Sequence, residues 1–181
     1  MKFRKISPVE ARAKKPTLAE LLQRKRSPIT VILDGVRSRQ NVGGIFRTSD
    51  AALAEKVFLA GITPKPPHRE IDKSALGATE AVPWEYVDYA TALVGNLKSQ
   101  GVQIVALELI ENSTPYYAAH YKFPACLIVG NEVTGVSQKL LDLCDEVIAI
   151  PMFGRAHSLN VVTAFGIALF EILKTYQTPH A

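Results

Sequence analysis

Three separated segments of the chain combine glycine with polar residues that could take part in chemistry. They are NVGGIFR at 41–47, GNEVTG at 130–135 and IPMFGRAHSLN at 150–160. Each comes after a short apolar run that favours a buried β-strand. Because the carboxyl ends of parallel strands share one edge of a sheet, these segments can converge on one crevice, which is the usual ligand site in an open α/β sheet. The pattern therefore predicts one site built from three distant loops.

The last of these segments is the predicted centre of the site. Residues 146–151 favour a buried strand, residues 152–157 favour a glycine-containing loop, and a long apolar helix is expected to begin at Ser158. A helix start beside a strand end presents unpaired backbone N–H groups to the crevice. Ser158 and Asn160 are the polar side chains at this start. Ser158 is also a candidate N-cap, and a residue can cap the helix and line the crevice at the same time.

The elements that must position these segments alternate between strand and helix about five times. Apolar runs with β-branched residues predict strands, and periodic runs bounded by capping or turn residues predict helices. The further predicted strands are 30–33, 57–60, 84–87, 102–109 and 125–129, and the further predicted helices are 41–54, 71–76, 89–100 and 137–144. This alternation predicts an α/β fold with a mostly parallel sheet and helices on both faces.

Two adjacent glycines, Gly43 and Gly44, lie in the first turn of the helix predicted at 41–54. Glycine destabilises a helix by about 1 kcal/mol relative to alanine, so its presence there requires a reason. Because glycine has no Cβ, it lets another backbone or a ligand come close. We therefore expect a close approach at this turn. Asn41, just before the glycines, is a candidate N-cap as well as a candidate site residue.

Positive charge is concentrated at the amino-terminal end of the chain. The first 40 residues contain 11 Lys and Arg and 3 acids, a net of +8, whereas the remainder contains 10 and 14, a net of −4. The basic leader, Lys2 to Arg39, favours a polyanionic partner, although a solvated basic face would have the same composition. Short helices are predicted within it at 7–15 and 18–26. We therefore divide the chain into a basic helical extension, 1–28, and a main domain, 29–181.

The composition is that of a globular chain of one domain, with 181 residues, 48% of them hydrophobic and 21% charged. Glu171 and Lys174 interrupt the longest apolar run, which favours a buried or interface helix over a membrane span. No apolar stretch follows the basic start, so we expect no signal peptide and a cytoplasmic location. Cys126 and Cys144 are expected to be reduced thiols. The four histidines lack metal-ligand spacing, so no metal is expected.

The order of the three segments carries more information than any one of them. The patterns GxGxxG, GxxxxGK[ST] and GxSxG are absent, which disfavours a dinucleotide fold, a P-loop and a hydrolase elbow. The order NxGxxxR, VGNExxG and IPMxGxxxSLNV resembles motifs 1, 2 and 3 of the SpoU/TrmH family of RNA ribose 2′-O-methyltransferases. The similarity runs by element order from about residue 30 to the carboxyl end, and KSALGATEAVPWEY at 73–86 is also similar to family sequences.

The resemblance implies a fold, a cofactor and an assembly. The fold is the SPOUT α/β type, in which the carboxyl-terminal segment threads through a loop as a deep trefoil knot, so that 29–181 would be a SPOUT methyltransferase domain. The cofactor is S-adenosyl-L-methionine, held largely by backbone groups of the knot loops. The family works as a homodimer in which each site uses motif 1 of the partner. The implied cofactor contacts fall on Leu107, Gly130, Ile150, Leu159 and Ser158.

The resemblance also implies roles for five residues. Arg47 would hold a phosphate or help to deprotonate the ribose 2′-hydroxyl; a guanidinium loses its proton only above about pH 12, which favours the first role. Asn41 would orient Arg47 or the RNA. Glu132 would pair with Arg47 or with a motif 3 group. Ser158 and Asn160 would line the reacting centre.

These observations favour an enzyme that transfers a methyl group from S-adenosyl-L-methionine to a ribose 2′-hydroxyl of structured RNA. Some members of the family that the chain resembles carry a separate N-terminal RNA-binding domain, whereas only about 28 residues precede the first predicted strand here. Transfer RNA, recognised through the catalytic dimer, is therefore slightly favoured over ribosomal RNA. The alternative is an RNA-binding protein of the same fold without catalysis, and the presence of every motif residue argues against it. A methyltransferase for a small molecule or a protein is a third hypothesis, which the basic leader disfavours.

Overall fold

A seven-stranded sheet forms the centre of the computed structural model, which describes residues 3–178. Its strands are β1 Ser27–Asp34, β2 Ala54–Ala60, β3 Trp84–Val87, β4 Gln103–Leu107, β5 Thr114–Pro115, β6 Ala125–Gly130 and β7 Glu146–Ala149. Their spatial order is β3-β2-β1-β6-β4-β7-β5, and the pairings between them are all parallel. The predicted parallel α/β sheet is confirmed. Predictions for Lys2 and for residues 179–181 lie outside the described residues.

Helices cover both faces of the sheet, as predicted. They are α1 Pro8–Ala13, α2 Leu18–Gln23, α3 Arg39–Ala51, α4 Arg69–Ala75, α5 Ala78–Ala81, α6 Ala90–Ser99, α7 Gln138–Leu141 and α8 Val161–Gln177. Side chains alternate between the two faces of a strand. Val31 and Leu33 of β1 therefore share one core with α3, α4, α5 and α8, whereas Ile32 shares the other with α6 and α7.

Helix α3 begins two residues before the predicted position. Its N-cap is Ser38, whose hydroxyl accepts from the backbone N–H of Asn41 at 3.3 Å. The alternative in which Asn41 is the N-cap is therefore wrong, because the serine three positions earlier satisfies that amide first. Asn41 consequently lies in the first turn with its side chain available for other contacts.

The two glycines of α3 are positions of close approach, as expected. A Cβ at Gly43 would collide with the Ile71 carbonyl and the Ser74 hydroxyl of α4. A Cβ at Gly44 would lie 2.9 Å from a methyl group of Val162 in α8. The sequence left open whether a backbone or a ligand comes close, and the neighbours in the structure are other parts of this chain.

Helix α8 begins at Val161, three residues after the predicted start at Ser158. Its N-cap is Asn160, whose side-chain oxygen accepts from the backbone N–H of Val162 at 2.9 Å. The alternative in which Ser158 is the N-cap is therefore wrong: asparagine and serine cap equally well, and here the later residue does so. None of the helices within residues 3–178 is long and apolar enough to cross a membrane.

Several predicted strand boundaries also change. Strand β2 starts at Ala54 instead of residue 57, and the preceding helix ends at Ala51. Thr114–Pro115 was not among the predicted strands but forms the edge strand β5 beside β7. Proline fits an edge because one side of that strand needs no N–H donor. The short strand β5 adds an edge to the sheet beside β7, the strand that precedes α8.

The basic segment ahead of β1 is helical, with little burial. The side chains of Thr17 and Glu20 each accept from the other's backbone N–H and so form a capping box at the start of the second predicted helix. No residue of α2 is buried. Arg26 is the exception within the segment, since its guanidinium donates to the carbonyls of Ala54 and Ala81 at 3.1 and 2.6 Å. Strand β1 starts at Ser27, just ahead of the predicted boundary after residue 28, and the division into two parts stays a prediction.

Candidate functional site

A cleft of about 500 Å³ opens at the carboxyl edge of β4, β6 and β7. It lies between the loops that follow these strands and the start of α8. A concave site of this size at strand ends is the usual position for a small-molecule ligand. All five residues assigned to the cofactor by resemblance line it, although their role in binding stays a prediction. They are Leu107, Gly130, Ile150, Ser158 and Leu159.

The loop after β6 is folded tightly on itself. Asn131 and Gly135 exchange backbone hydrogen bonds of 3.1 and 2.9 Å, and the Asn131 side chain accepts from the N–H of Val133 at 2.9 Å. The same side chain donates to the carbonyl of Gly35, after β1, at 2.8 Å. A Cβ at Gly130 would collide with the backbone of Gly135. Gly130 is therefore required for the shape of this loop.

Glu108 is a site residue to which the sequence analysis assigned no role. It follows β4, lines the cleft, and accepts from the backbone N–H of Val136 at 2.8 Å and of Leu109 at 2.9 Å. Gly135 has φ +69°, and a Cβ there would collide with the Glu108 carboxylate. The carboxylate thus joins the ends of β4 and the loop after β6. A sequence signal existed, because an acid directly after a buried apolar strand is costly without donors.

A chain of hydrogen bonds connects the three motifs. The Asn160 amide donates to Asn41 Oδ1 at 3.2 Å, and the Asn41 amide donates to Glu132 Oε1 at 2.7 Å. Asn160 is itself held by the N–H of Val162. Asn41 is therefore joined directly to Glu132, 91 positions later in the chain, and to Asn160, 119 positions later. The three segments converge in the structure, as predicted.

Glu132 has different partners from those predicted. Its carboxylate accepts from the backbone N–H groups of Arg37 and Ser38, at 2.9 and 3.0 Å, and from Asn41. Within residues 3–178 of one chain the expected direct pairing with Arg47 or with a motif 3 group is absent, since these three donors at the start of α3 bind the carboxylate. Pairing with Arg47 of a second subunit stays a prediction. Partial burial disfavours the charged form of Glu132, but the donors together hold its pKa below the ordinary value.

Arg47 and Ser158 are both exposed. Arg47 lies on α3 with its side chain exposed, and it does not line the cleft of its own chain. Within residues 3–178 it has no ion pair and no side-chain hydrogen bond, so Asn41 does not contact it within one chain. The other predicted role of Asn41, orienting the RNA, stays a prediction. Ser158 is exposed at the rim of the cleft. One chain therefore assembles Asn41, Glu132 and Asn160, but not Arg47.

The remaining candidates for chemistry are structural. Cys126 is buried and Cys144 is half-buried, and both are free thiols. Burial raises the pKa of Cys126, and it raises that of Cys144 to about 11, so neither is a reactive thiolate at neutral pH. The described part of the chain contains no group of three or more His, Cys, Asp or Glu residues that could hold a metal ion.

A parallel sheet with a cleft at its carboxyl edge, closed by glycine-containing loops and a helix start, defines an α/β protein with a small-molecule site. The chain belongs to the SpoU rRNA Methylase family, whose model matches residues 28–170. The family predicted from the order of the three motifs is confirmed.

Two relatives indicate what such proteins modify. The chain is 33% identical over 160 residues to the tRNA (guanosine(18)-2'-O)-methyltransferase of Escherichia coli strain K12, which covers 88% of this chain and 69% of that protein. It is 34% identical over 157 residues to the 23S rRNA (guanosine-2'-O-)-methyltransferase RlmB of Vibrio vulnificus strain CMCP6. That alignment covers 87% of this chain and 63% of the relative. The chain thus spans less than two thirds of this second relative.

Solved structures agree with the fold. The TrmH/SpoU tRNA modifying enzyme of Aquifex aeolicus superimposes with a TM-score of 0.79 at 32% identity, covering 88% of this chain and 81% of that one. An AdoMet-bound rRNA methyltransferase from Sinorhizobium meliloti superimposes with a TM-score of 0.77 at 35% identity. The superposition covers 83% of this chain and 57% of that one.

Proposed function

We propose that the chain is an RNA methyltransferase that transfers a methyl group from S-adenosyl-L-methionine to a ribose 2′-hydroxyl. The two relatives are named for 2′-O-methylation of guanosine in tRNA and 23S rRNA, and one structural neighbour has AdoMet bound. These matches bear out the enzyme class and the cofactor predicted from the motifs. The main support for the proposal is that hydrogen bonds join all three motifs beside one cleft.

The charges of the cleft fit a sulfonium cofactor. Its lining contains two carboxylates, those of Glu108 and Glu132, and among the described residues it contains no Lys or Arg. Such a lining disfavours a phosphate-bearing nucleotide and favours a cation. The strand-end backbone at Gly130 and Ile150, with the apolar side chain of Leu159, would hold the cofactor. When bound, it supplies a methyl group on a positively charged sulfur, which is already a good leaving group.

The chain's own residues are needed chiefly for alignment. Methyl transfer requires the attacking oxygen, the methyl carbon and the sulfur in line, with water excluded. Asn160 is fixed by two hydrogen bonds and faces the cleft, so it can orient the ribose. Ser158 can exchange a hydrogen bond with the 2′-hydroxyl at the rim. Arg47 would hold a neighbouring phosphate through its paired N–H donors.

A homodimer would bring Arg47 to a cleft. The position of Arg47 outside the cleft of its own chain supports a site that uses motif 1 of the partner. The exposed part of α8 includes Phe170, which is 46% exposed and could be covered by a second subunit. We therefore propose a two-fold symmetric dimer with two composite sites.

The carboxyl-terminal knot implied by the resemblance also stays a proposal. Helix α8 packs against β1, β4 and β6, whereas the strand before it, β7, lies on the far side of β4. Residues 150–160 must therefore return past the loop 130–135, with which they share the cleft. Pulling a single molecule from both ends tests the threading. A knotted chain stops short of the contour length of an unknotted chain of equal size.

The RNA would contact the basic leader, with transfer RNA slightly favoured and the cytoplasm as the predicted location. The cations of the leader are not equivalent, however. Arg26 is used within the fold, and Arg4 and Arg39 pair with Glu10 and Glu70. The exposed cations that remain are suited to phosphates. They include Lys5, Lys14, Lys15, Arg24 and Lys25.

A methyl-transfer assay tests the proposed function. The purified chain is incubated with methyl-labelled S-adenosyl-L-methionine and either bulk tRNA or bulk rRNA, and the RNA is digested to nucleosides. We expect a 2′-O-methylated nucleoside, with more label in tRNA. Label on a base would refute the ribose assignment. RNA binding and cofactor binding by calorimetry without any transfer would support the catalytically inactive alternative.

A further inference from the structure

The loop between β7 and α8 carries an unusual tip at the entrance of the cleft. Met152 and His157 both line the cleft, whereas residues 153–156 between them do not. The chain therefore leaves the cleft wall after Met152 and returns to it at His157. The four intervening residues, Phe-Gly-Arg-Ala, are all exposed. The tip accordingly stands at the rim where a substrate for the proposed methyl transfer must enter.

Phe153 is exposed to an extent that folding does not explain. It is 94% exposed, the largest value among the exposed large hydrophobic side chains of residues 3–178. Burial of a phenylalanine side chain is favourable, and this side chain is not buried in the single chain. Gly154, beside it, has open space around it. A side chain so placed is available to a partner that arrives from solution.

Arg155 supplies a charge to the same tip. Its side chain is exposed, and in the described part of the chain it has neither an ion pair nor a hydrogen bond. An aromatic ring and a guanidinium two residues apart are the pair of groups that proteins use for an unpaired nucleotide. The ring stacks on the base, and the guanidinium binds the phosphate. The residues predicted to hold the cofactor, Gly130, Ile150 and Leu159, line the cleft, whereas Phe153 and Arg155 do not.

We propose that residues 153–156 form the platform for the target nucleotide of the RNA, with the base stacked on Phe153 and an adjoining phosphate bound by Arg155. The inference rests on the proposed function and adds the residues that select an unpaired nucleotide. Stacking on an aromatic ring is tolerant of base identity, so the platform does not select a particular base. It requires a base that is not stacked within a helix, and the nucleotide must therefore be flipped out or lie in a loop. A second copy of the chain is the rival occupant, but the proposed dimer already has Arg47 and α8 as its contacts, and a four-residue tip by itself buries far less surface than a stable dimer needs.

The test compares Phe153→Ala, Phe153→Tyr and Arg155→Ala with wild type, and uses Tyr89→Ala as the matched control. Tyr89 is a 78% exposed aromatic residue that precedes α6 and lies outside the cleft. With bulk tRNA, Phe153→Ala should raise KM at least about fivefold while the Tyr variant stays near wild type. Arg155→Ala should lower the salt dependence of tRNA binding by about one phosphate contact. The Kd for S-adenosyl-L-methionine should not change in any variant.

Two further measurements separate the possible outcomes. Phe153→Trp adds a fluorophore that bulk tRNA should quench, as stacking requires. Light scattering reports the oligomeric state of each variant, and a dimer lost in Phe153→Ala would overturn the platform in favour of a subunit contact. An unchanged KM in Phe153→Ala would refute the inference and leave the proposed function intact. If wild type transfers no methyl group to any RNA, the proposed function itself fails.

Discussion

Arg47 is the charged residue whose removal should separate chemistry from cofactor binding. It is exposed on α3 and does not line the cleft in which the cofactor would bind. Arg47→Ala should therefore reduce kcat for methyl transfer by about 100-fold or more, because a positioned charge acts on the reacting groups. The Kd for S-adenosyl-L-methionine by calorimetry should stay the same.

Arg47→Lys is the matched control for this prediction. Lysine keeps the charge but loses the planar pair of N–H donors. Activity between those of Ala and wild type would indicate that charge and geometry both contribute. Equal losses of catalysis and cofactor affinity in the alanine variant would mean that Arg47 has been assigned the wrong role.

Glu132 should make the fold sensitive to acid. Its donors lower its pKa in the folded state from the ordinary value of 4.5. The resulting stability is present above that ordinary value and is lost as the pH falls through the lowered pKa. The difference in unfolding free energy between wild type and Glu132→Gln should therefore shrink as the pH falls from about 7 to about 3. The effect should be modest because much of this partly buried side chain is still exposed to solvent.

Chemical denaturation at several pH values measures this difference. Glu20→Gln is a useful comparison, since Glu20 also has a lowered pKa, from hydrogen bonds within the capping box. It lies in α2, which buries no residue, so its substitution should change global stability less. A difference for Glu132→Gln that is constant with pH would contradict the hydrogen-bonding network.

At the scale of the element, the packing of α3 should depend on the absence of one methyl group. In Gly43→Ala, the new Cβ would meet the backbone carbonyl of Ile71 and lie 3.0 Å from the N atom of Ala75. Backbone atoms of α4 cannot move aside as a flexible side chain does, so the unfolding free energy should fall by about 1–3 kcal/mol.

Gly95→Ala is the matched control within another helix. Gly95 lies in α6 with nothing within 4 Å of a new Cβ, so alanine should stabilise the protein by about 0.5–1 kcal/mol. Thermal or chemical unfolding of the two variants provides the measurement. Destabilisation of similar size in both would show that the close contact of α3 with α4 is not the cause.

The helices and strands show which features can be predicted from the local sequence pattern. The strand at Trp84–Val87 and the meeting of the three segments were predictable, because apolar runs fix strands and parallel strands share an edge. The N-cap of α8 was not: Ser158 and Asn160 are equally good caps, and the bond from Asn41 to Asn160 that accompanies the choice joins distant parts of the chain. The strand at Thr114–Pro115 was missed because two residues carry no periodicity.

Glu108 illustrates what the sequence could not provide about the site. Its role depends on the N–H of Val136 and on the left-handed conformation of Gly135, and both belong to a loop about 28 positions away. Local propensity has no access to such a pairing. A threaded chain is likewise outside local rules, which count knots as nearly absent. The resemblance to a family suggested the knot, which stays a proposal, but it did not suggest the role of Glu108.

At the scale of the whole molecule, the leader should contribute to RNA affinity through charge alone. Replacing Lys14, Lys15, Arg24 and Lys25 together by Glu should weaken tRNA binding and flatten its dependence on salt. Arg26 must be kept, because it joins β2 to α5 through two carbonyls. Deleting residues 1–28 would confuse the two effects by removing the start of β1.

Filter binding of tRNA over a range of salt concentrations measures the leader's contribution. Cofactor affinity serves as the control and should not change. If the substituted protein binds tRNA as wild type does, the leader contributes solubility and does not bind the substrate. A loss of cofactor affinity would indicate damage to the main fold instead.

The proposed dimer predicts that two inactive subunits can restore each other. Arg47→Ala and Asn160→Ala are each expected to be inactive alone. If Arg47 acts in the partner's cleft, mixed dimers contain one complete site, and random pairing should restore about a quarter of wild-type activity. An absence of recovery after verified subunit exchange would mean that Arg47 acts within its own chain.

The bond between Asn41 and Asn160 also has a consequence for biosynthesis. The two residues are 119 positions apart, and the first of them is translated long before the second. While the ribosome still covers α8, a nascent chain can hold Glu132 against Asn41 but has no far wall for the cleft. An unfinished polypeptide that lacks α8 would therefore not form the complete cleft for the cofactor.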